Sequence, residues 1–230
     1  KSKKQVVRKH ANAGKEEVKD CIDFQHAFKW AKKKIHQSND PTSSMFKRAI
    51  LFGMLAQYPL RLSEFMVNLQ FIDKENNNFL NLETGMMTIR NHKAIRSGTT
   101  MVKKLQLGKS LMKYIKYYVE EFERTQLFSC FNLSTQKETI YDTSNCSKFL
   151  KESITKYCND NGISIKGKAT GIHSIRWWYA TTEYKKLGIT ADMVSKMMQI
   201  RDVLGHRSLD TGLLHYVKTL KDHDELLVKE

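Results

Sequence analysis

The sequence predicts a mainly α-helical domain with a small antiparallel β-sheet or hairpin. Apolar residues recur at helical spacing along most of the chain. The period changes only in the middle, where short β-favouring runs are separated by the turn signals "NNN" and "TG". With 230 residues, of which 40% are hydrophobic, the chain can bury the core of one domain without disulfide bonds.

The first part of the chain predicts a basic arm followed by three helical segments. Residues 1–15 are basic and poor in large apolar residues, so we expect a flexible arm or interdomain linker. Helical periodicity predicts a helix from Glu16 to Gln37. Asp40 suits the N-cap of a second helix, with Pro41 at its first position, that runs to about Gln57. The stretch "LRLSEFMVNLQ" predicts a further short helix.

The middle of the chain predicts three strands and two helices. We expect strands at Phe71 to Asp73, Met86 to Asn91 and Thr99 to Leu107, the last two forming a hairpin with a basic loop. The segments "GKSLMKYIKYYVEEF" and "TSNCSKFLKESITKYCNDNG" are amphipathic at helical spacing. Gly162 is expected to close the second of these helices.

The C-terminal third predicts a helix that follows Gly171 and runs to Leu187, then a helix from Thr190. A turn is expected at "LGH", Leu204 to His206, and after it a short helix that presents Tyr216. Large apolar residues in this third are expected to lie in the core; they are Trp177, Trp178, Tyr179, Met193, Met197 and Met198.

The charge of the chain favours a polyanionic partner. The net charge is +15 and the pI is near 9.6, so we expect binding to double-stranded DNA before binding to a membrane surface. The alternative is a basic ribosome-associated protein, or simply a lysine-rich protein whose composition reflects A+T-rich coding. No apolar run is long enough to cross a bilayer, so no membrane association is expected, and we expect an intracellular protein. Because the chain begins at Lys1 and its first methionine is Met45, we expect a piece of a longer protein.

The cysteines do not predict a metal site. Cys21, Cys130, Cys146 and Cys158 form no CxxC pair and fit no spacing of metal ligands, so we expect reduced thiols. The acidic residues form no set of three carboxylates that would suit a metal-dependent integrase. We therefore expect neither a metal nor a cofactor.

A candidate phosphate-binding pair lies at the start of the helix after Gly171. His173 and Arg176 are three residues apart and share one face, near the N-terminal end where unpaired N–H groups favour an anion. Arginine offers two parallel N–H donors that lysine cannot offer. This pattern indicates a site for a phosphate oxygen.

Five elements of the sequence occur in the order found in the tyrosine recombinases, the phage-integrase family. They are "RLSE" at 61–64, a lysine in a β-hairpin at Lys93, "HSIR" at 173–176, "LGH" at 204–206 and the tyrosine Tyr216. The chain resembles the catalytic domain of this family over residues 16–220, with residues 221–230 as a C-terminal tail. The usual spacing would place the tyrosine at His215, so the resemblance implies an extra residue in that turn.

The resemblance implies a role for each residue in cutting a phosphodiester without a metal. Arg61 and Arg176 would clamp the scissile phosphate, and Tyr216 would be the nucleophile. His173 would act as the base, and Lys93 would protonate the leaving 5′-oxygen. His206 would donate a hydrogen bond to a phosphate oxygen. Glu64 would hold an arginine in place. The basic residues expected to contact DNA are Arg90, Arg96, Lys103 and Arg207.

The implied activity is site-specific recombination through a 3′-phosphotyrosyl intermediate, by a homotetramer on paired DNA sites. Two alternatives stay open. A type IB topoisomerase or telomere resolvase shares the arginines and the tyrosine but relaxes or seals DNA. A catalytically silent DNA-binding module would use the same residues only to grip phosphate. The "LGH" turn favours recombination over the first alternative, and the intact set of catalytic residues argues against the second.

Overall fold

The structure is a computed structural model, and it describes residues 20–69, 78–90, 102–132, 134–186 and 193–204. The basic arm expected at residues 1–15 and the strand expected at 71–73 lie outside these ranges. The same is true of the tip of the predicted hairpin and of the chain beyond Leu204. The description below concerns the five ranges only.

Six α-helices account for most of the described residues, which confirms the prediction of a mainly helical protein with small sheets. They are α1 (Phe24–Gln37), α2 (Ser43–Gln57), α3 (Lys109–Glu121), α4 (Thr143–Asp160), α5 (Ile172–Lys186) and α6 (Met193–Leu204). Helix α1 packs against α2, α2 packs against α3, and α5 contacts α6.

The strands are short and form three small sheets. They are β1 (Asp20–Cys21), β2 (Val67–Asn68), β3 (Asn78–Leu80), β4 (Met86–Ile89), β5 (Lys103–Gln106), β6 (Ser129–Asn132), β7 (Lys137–Ile140) and β8 (Lys168–Ala169). The largest sheet has the order β2-β3-β4-β5, with β2 parallel to β3 and the other pairs antiparallel. The predicted hairpin is therefore confirmed as the pair β4 and β5. The sequence did not indicate the pairs β6–β7 and β1–β8.

Two predicted helix starts are wrong. Helix α1 begins at Phe24 rather than Glu16, because the Asp23 side chain accepts a hydrogen bond from the His26 amide at 2.9 Å and caps the helix there. Helix α2 is preceded by Thr42, not Asp40, as its N-cap residue. The Thr42 carbonyl accepts bonds from the amides of Met45 and Phe46, so the helical bonding begins two residues later than predicted.

The predicted helix over "LRLSEFMVNLQ" is mostly replaced by two other elements. Leu62–Phe65 forms one 3-10 turn, which we call the Arg61 turn because Arg61 is its N-cap residue. The chain then straightens into β2, which pairs with β3. In contrast, Gly162 is confirmed as the end of α4: its φ is 64°, a conformation that suits glycine, and the next amide returns to the Cys158 carbonyl.

The core lies between the first four helices and the largest sheet. Aromatic rings join α1, α2 and α4, with Trp30 and Tyr157 in an edge contact at 5.5 Å between ring centroids and Phe52 against both. At the other end of α2, Phe46 stacks on Tyr117 of α3. This packing fixes α2 and so the position of the segment that follows it.

The prediction that all large apolar residues of the C-terminal third are core is wrong for two of them. Met197 is buried, but Trp177 and Met198 are 39% and 43% exposed. Successive helical residues point about 100° apart, so a helix buries one face, and Trp177 and Met198 lie on the opposite face. Trp178 and Tyr179 are half-buried, and the side chain of Met193 lies outside the description. No helix of the described ranges is both long enough and apolar enough to cross a membrane.

Candidate functional site

Arg61 is held by a turn that its neighbour Glu64 closes. The Arg61 amide donates to Glu64 Oε2 at 2.8 Å, and the Glu64 amide donates to the Arg61 carbonyl at 2.9 Å. The Glu64 side chain has no exposed surface. A buried carboxylate that accepts a backbone N–H holds the backbone of Arg61 in place.

Glu64 also binds a lysine from the predicted hairpin. Lys103 Nζ lies 2.9 Å from Glu64 Oε1, and the same ammonium donates to the Val203 carbonyl at 3.3 Å. The sequence predicts that Lys103 contacts DNA, but its side chain is only 7% exposed. Residues of a strand alternate between its two faces, so Lys103 turns inward and Lys104 is the exposed lysine.

Arg176 reaches the same region from α5. It is 7% exposed, and its Nη1 donates to the carbonyl of Pro59, two residues before Arg61. Arg176 therefore contacts the segment that contains Arg61, although the two arginines belong to motifs far apart in the sequence. We call Arg61, Glu64, Lys103 and Arg176 the arginine cluster.

The cluster carries an excess of positive charge in a buried setting. Burial first, and then the charge of Arg61, lower the pKa of Arg176 to about 10, against the opposing effect of Glu64. Burial is also the main reason that the pKa of Lys103 is lowered; Glu64 opposes this, and the two arginines add to it. Within the cluster, three cationic side chains therefore lie near the carboxylate of Glu64.

Asn78 is a positioning residue that the sequence analysis missed. It lies in the predicted turn "NNN", yet it begins β3 and is 1% exposed. Its Nδ2 donates to the carbonyls of Ser63 and Met66 at 2.9 and 3.1 Å, and its Oδ1 accepts from the Arg90 amide at 3.0 Å. Asn78 thus joins the Arg61 turn to the end of β4. Neither the polar residue type nor the turn pattern predicts that this side chain is buried.

His173 lies in the first turn of α5, one helical turn before Arg176, and its side chain is exposed. Arg90, expected to contact DNA, directly follows β4 and is half-buried. The other predicted site residues, Lys93, Arg96, His206, Arg207 and Tyr216, lie outside the described residues. Within the described ranges, no group of three or more His, Cys, Asp or Glu residues is placed to hold a metal ion.

Comparison with known proteins supports a likeness of fold. No family model matches the sequence, and no curated protein matches it. The structure is similar to the crystal structure of XerA recombinase, with a TM-score of 0.51 and 14% sequence identity. The likeness covers 84% of this chain and 56% of that chain, so this chain spans little more than half of the recombinase. At this identity, the likeness shows that the protein has a mainly helical fold distantly related to that of a recombinase.

Proposed function

We propose that this protein cuts and rejoins DNA strands as a site-specific recombinase, through a covalent link between Tyr216 and a DNA 3′-phosphate. The observation that carries the proposal is the arginine cluster: Arg61 and Arg176 meet at one segment, and Glu64 binds the backbone of that segment. The net charge of +15 and the distant likeness to a recombinase fold support the same function.

In the proposed reaction, the phenolic oxygen of Tyr216 attacks the scissile phosphorus. A P–O bond to tyrosine forms, and the bond from phosphorus to the 5′-oxygen breaks. His173 takes the tyrosine proton, and Lys93 gives a proton to the leaving 5′-oxygen. Rejoining is the reverse, with a 5′-hydroxyl of the partner strand as the attacking group. His206 donates to a phosphate oxygen.

The arginine cluster would stabilise the negative charge that develops on the phosphate. The guanidinium of arginine carries five N–H donors. The hydrogen bond from Arg176 Nη1 to the Pro59 carbonyl uses one of them and orients the planar group. Arg176 is buried and bound to the Pro59 carbonyl, and fixed donors in a water-poor site stabilise a transition state better than mobile ones. With a pKa near 10, Arg176 stays protonated at neutral pH.

Trapping on a nicked suicide substrate tests the proposal. We expect a protein–DNA adduct that survives denaturant, forms in EDTA, and leaves a free 5′-hydroxyl. Tyr216→Phe should abolish the adduct and leave DNA affinity nearly unchanged, because only the nucleophilic oxygen is removed. Tyr117→Phe is the matched control, since Tyr117 is a surface residue of α3 and 48% exposed. The substrate should carry the DNA that flanks the gene, because the target sequence is not encoded in these motifs.

Different outcomes point to different functions. Tight DNA binding with no adduct for the wild-type protein would favour a catalytically silent DNA-binding module. An adduct with relaxation or sealing of single sites, and no strand exchange between two sites, would favour a type IB topoisomerase or telomere resolvase. An adduct that maps to His215 or to a 5′-phosphate would show that the nucleophile is misassigned. Light scattering on paired sites tests the proposed homotetramer.

A further inference from the structure

We propose that Lys103 is a positioning residue that fixes the end of α6 relative to the Arg61 turn. Three segments far apart in the sequence meet at its ammonium: β5, which carries it, the Arg61 turn through Glu64 Oε1 at 2.9 Å, and α6 through the Val203 carbonyl at 3.3 Å. We call these contacts the lysine bridge. The effect of the lysine bridge on catalysis rests on the proposed function above. Its structural role does not depend on that function.

The contact with Val203 is made where a helix needs a partner. The last four carbonyls of an α-helix have no amide of their own helix to accept from, and Val203 is the next-to-last residue of α6. A cation at this end also suits the partial negative charge of the helix C-terminus. Lys103 thus binds the last described turn of α6. The motif "LGH", with His206, begins at the last residue of the same helix.

The contact with Glu64 passes the same constraint to Arg61. One oxygen of Glu64 accepts from Lys103, and the other accepts from the Arg61 amide at 2.8 Å. A displacement of β5 or of α6 would therefore also displace the backbone of Arg61. Asn78 binds the opposite side of this turn through the Ser63 and Met66 carbonyls.

Burial indicates that Lys103 positions other groups and does not itself deliver a proton. The side chain is 7% exposed, its partner Glu64 is 0% exposed, and its ammonium is bound on two sides. A general acid must reach the leaving oxygen within hydrogen-bond distance. A buried ion pair contributes little net stability compared with a well-packed apolar pair, so a role in fixing geometry is the better reason for it here.

The test compares a double variant, Lys103→Met with Glu64→Gln, with the control Lys104→Met. The double variant removes both charges together, because removal of one would leave the other buried and unpaired. The control removes the neighbouring lysine on the exposed face of the same strand. Both are made in the full chain. Three measurements are taken: amide hydrogen exchange of the free protein, DNA affinity, and the rate of single-turnover cleavage at saturating DNA.

If the bridge works as proposed, the double variant exchanges amides of the Arg61 turn and of the last turn of α6 at least tenfold faster, while amides of α1 and α2 exchange as in the wild type. Its cleavage rate falls at least tenfold, and its dissociation constant for DNA changes less than threefold. Faster exchange throughout the molecule, or exchange and cleavage equal to those of Lys104→Met, would overturn the inference.

Failure of the inference and failure of the proposed function give different results. Wild-type protein that never forms an adduct overturns the proposed function, and the exchange data still decide whether Lys103 couples α6 to the Arg61 turn. Wild-type protein that cleaves, together with a double variant that cleaves equally fast, upholds the function and overturns the positioning role.

Discussion

The side chain of Asn78 accepts a hydrogen bond from the backbone amide of Arg90 at 3.0 Å while it donates to the carbonyls of Ser63 and Met66. One buried amide group therefore holds the residue that follows β4 against the Arg61 turn. Lys93, the residue proposed to protonate the leaving oxygen, comes three positions after Arg90 in the sequence.

We expect Asn78→Leu to destabilise the protein by about 2–4 kcal/mol, because two carbonyls and one amide, all in part-buried hydrogen bonds, lose their partner. Urea unfolding followed by circular dichroism measures this free energy. The control Asn159→Leu replaces an exposed asparagine in the last turn of α4 and should change stability by less than about 0.5 kcal/mol. Equal effects of the two substitutions would contradict the role given to Asn78.

We expect Arg176→Lys to reduce the rate of adduct formation by about 10²- to 10³-fold, since the charge remains but the bidentate fork is lost. DNA affinity should change only a few-fold, because one phosphate contact among several is altered. Single-turnover trapping and fluorescence anisotropy measure the two quantities. Arg124→Lys, at an arginine that lies over the Phe131 ring outside the cluster, should cleave as the wild type does. Similar losses in both variants would count against the clamp.

Binding to duplex DNA should weaken steeply with salt. If the basic surface follows several phosphates, log K against log salt should have a slope of about −5 or steeper, at about −0.9 per phosphate neutralised. Anisotropy titrations between low and moderate salt measure the slope. A slope near −1 would mean that the charge of the chain does not form an extended DNA-binding face.

The thiols should react in an order set by burial. Burial raises the pKa of Cys21 to about 11 and that of Cys146 to about 12, whereas Cys130 is exposed. Only thiolates react, so alkylation of Cys21 by iodoacetamide should rise about tenfold per pH unit between pH 7 and 9. Mass spectrometry of the peptides should find Cys130 modified first and the two buried thiols, Cys146 and Cys158, last. In denaturant, all four should react alike; early modification of Cys146 in the native protein would show that α4 opens readily.

Sequence reasoning succeeded where the signal is local. The periodicity of α3 and α4, the glycine that ends α4, and the β4–β5 hairpin were all predicted. Each has a signal in the sequence of the element itself: helical spacing, a terminal glycine, or two neighbouring β-favouring runs. The starts of α1 and α2 were not predicted, since a cap depends on which of several nearby polar residues bonds to the backbone. The Arg61 turn was read as a helix for the same reason: four residues cannot show whether the chain continues or turns to join a sheet.

The sequence alone indicated the residue types of the candidate site: the arginines Arg61 and Arg176, and the glutamate and histidine that accompany them. Only the tertiary structure decided which partners they meet. Lys103 looked like a surface lysine, and Asn78 looked like part of a turn. Each became a buried contact because strands and helices distant in the chain converge on the Arg61 turn. Contacts of this kind arise from the packing of whole elements, and a pattern within any one element does not contain them.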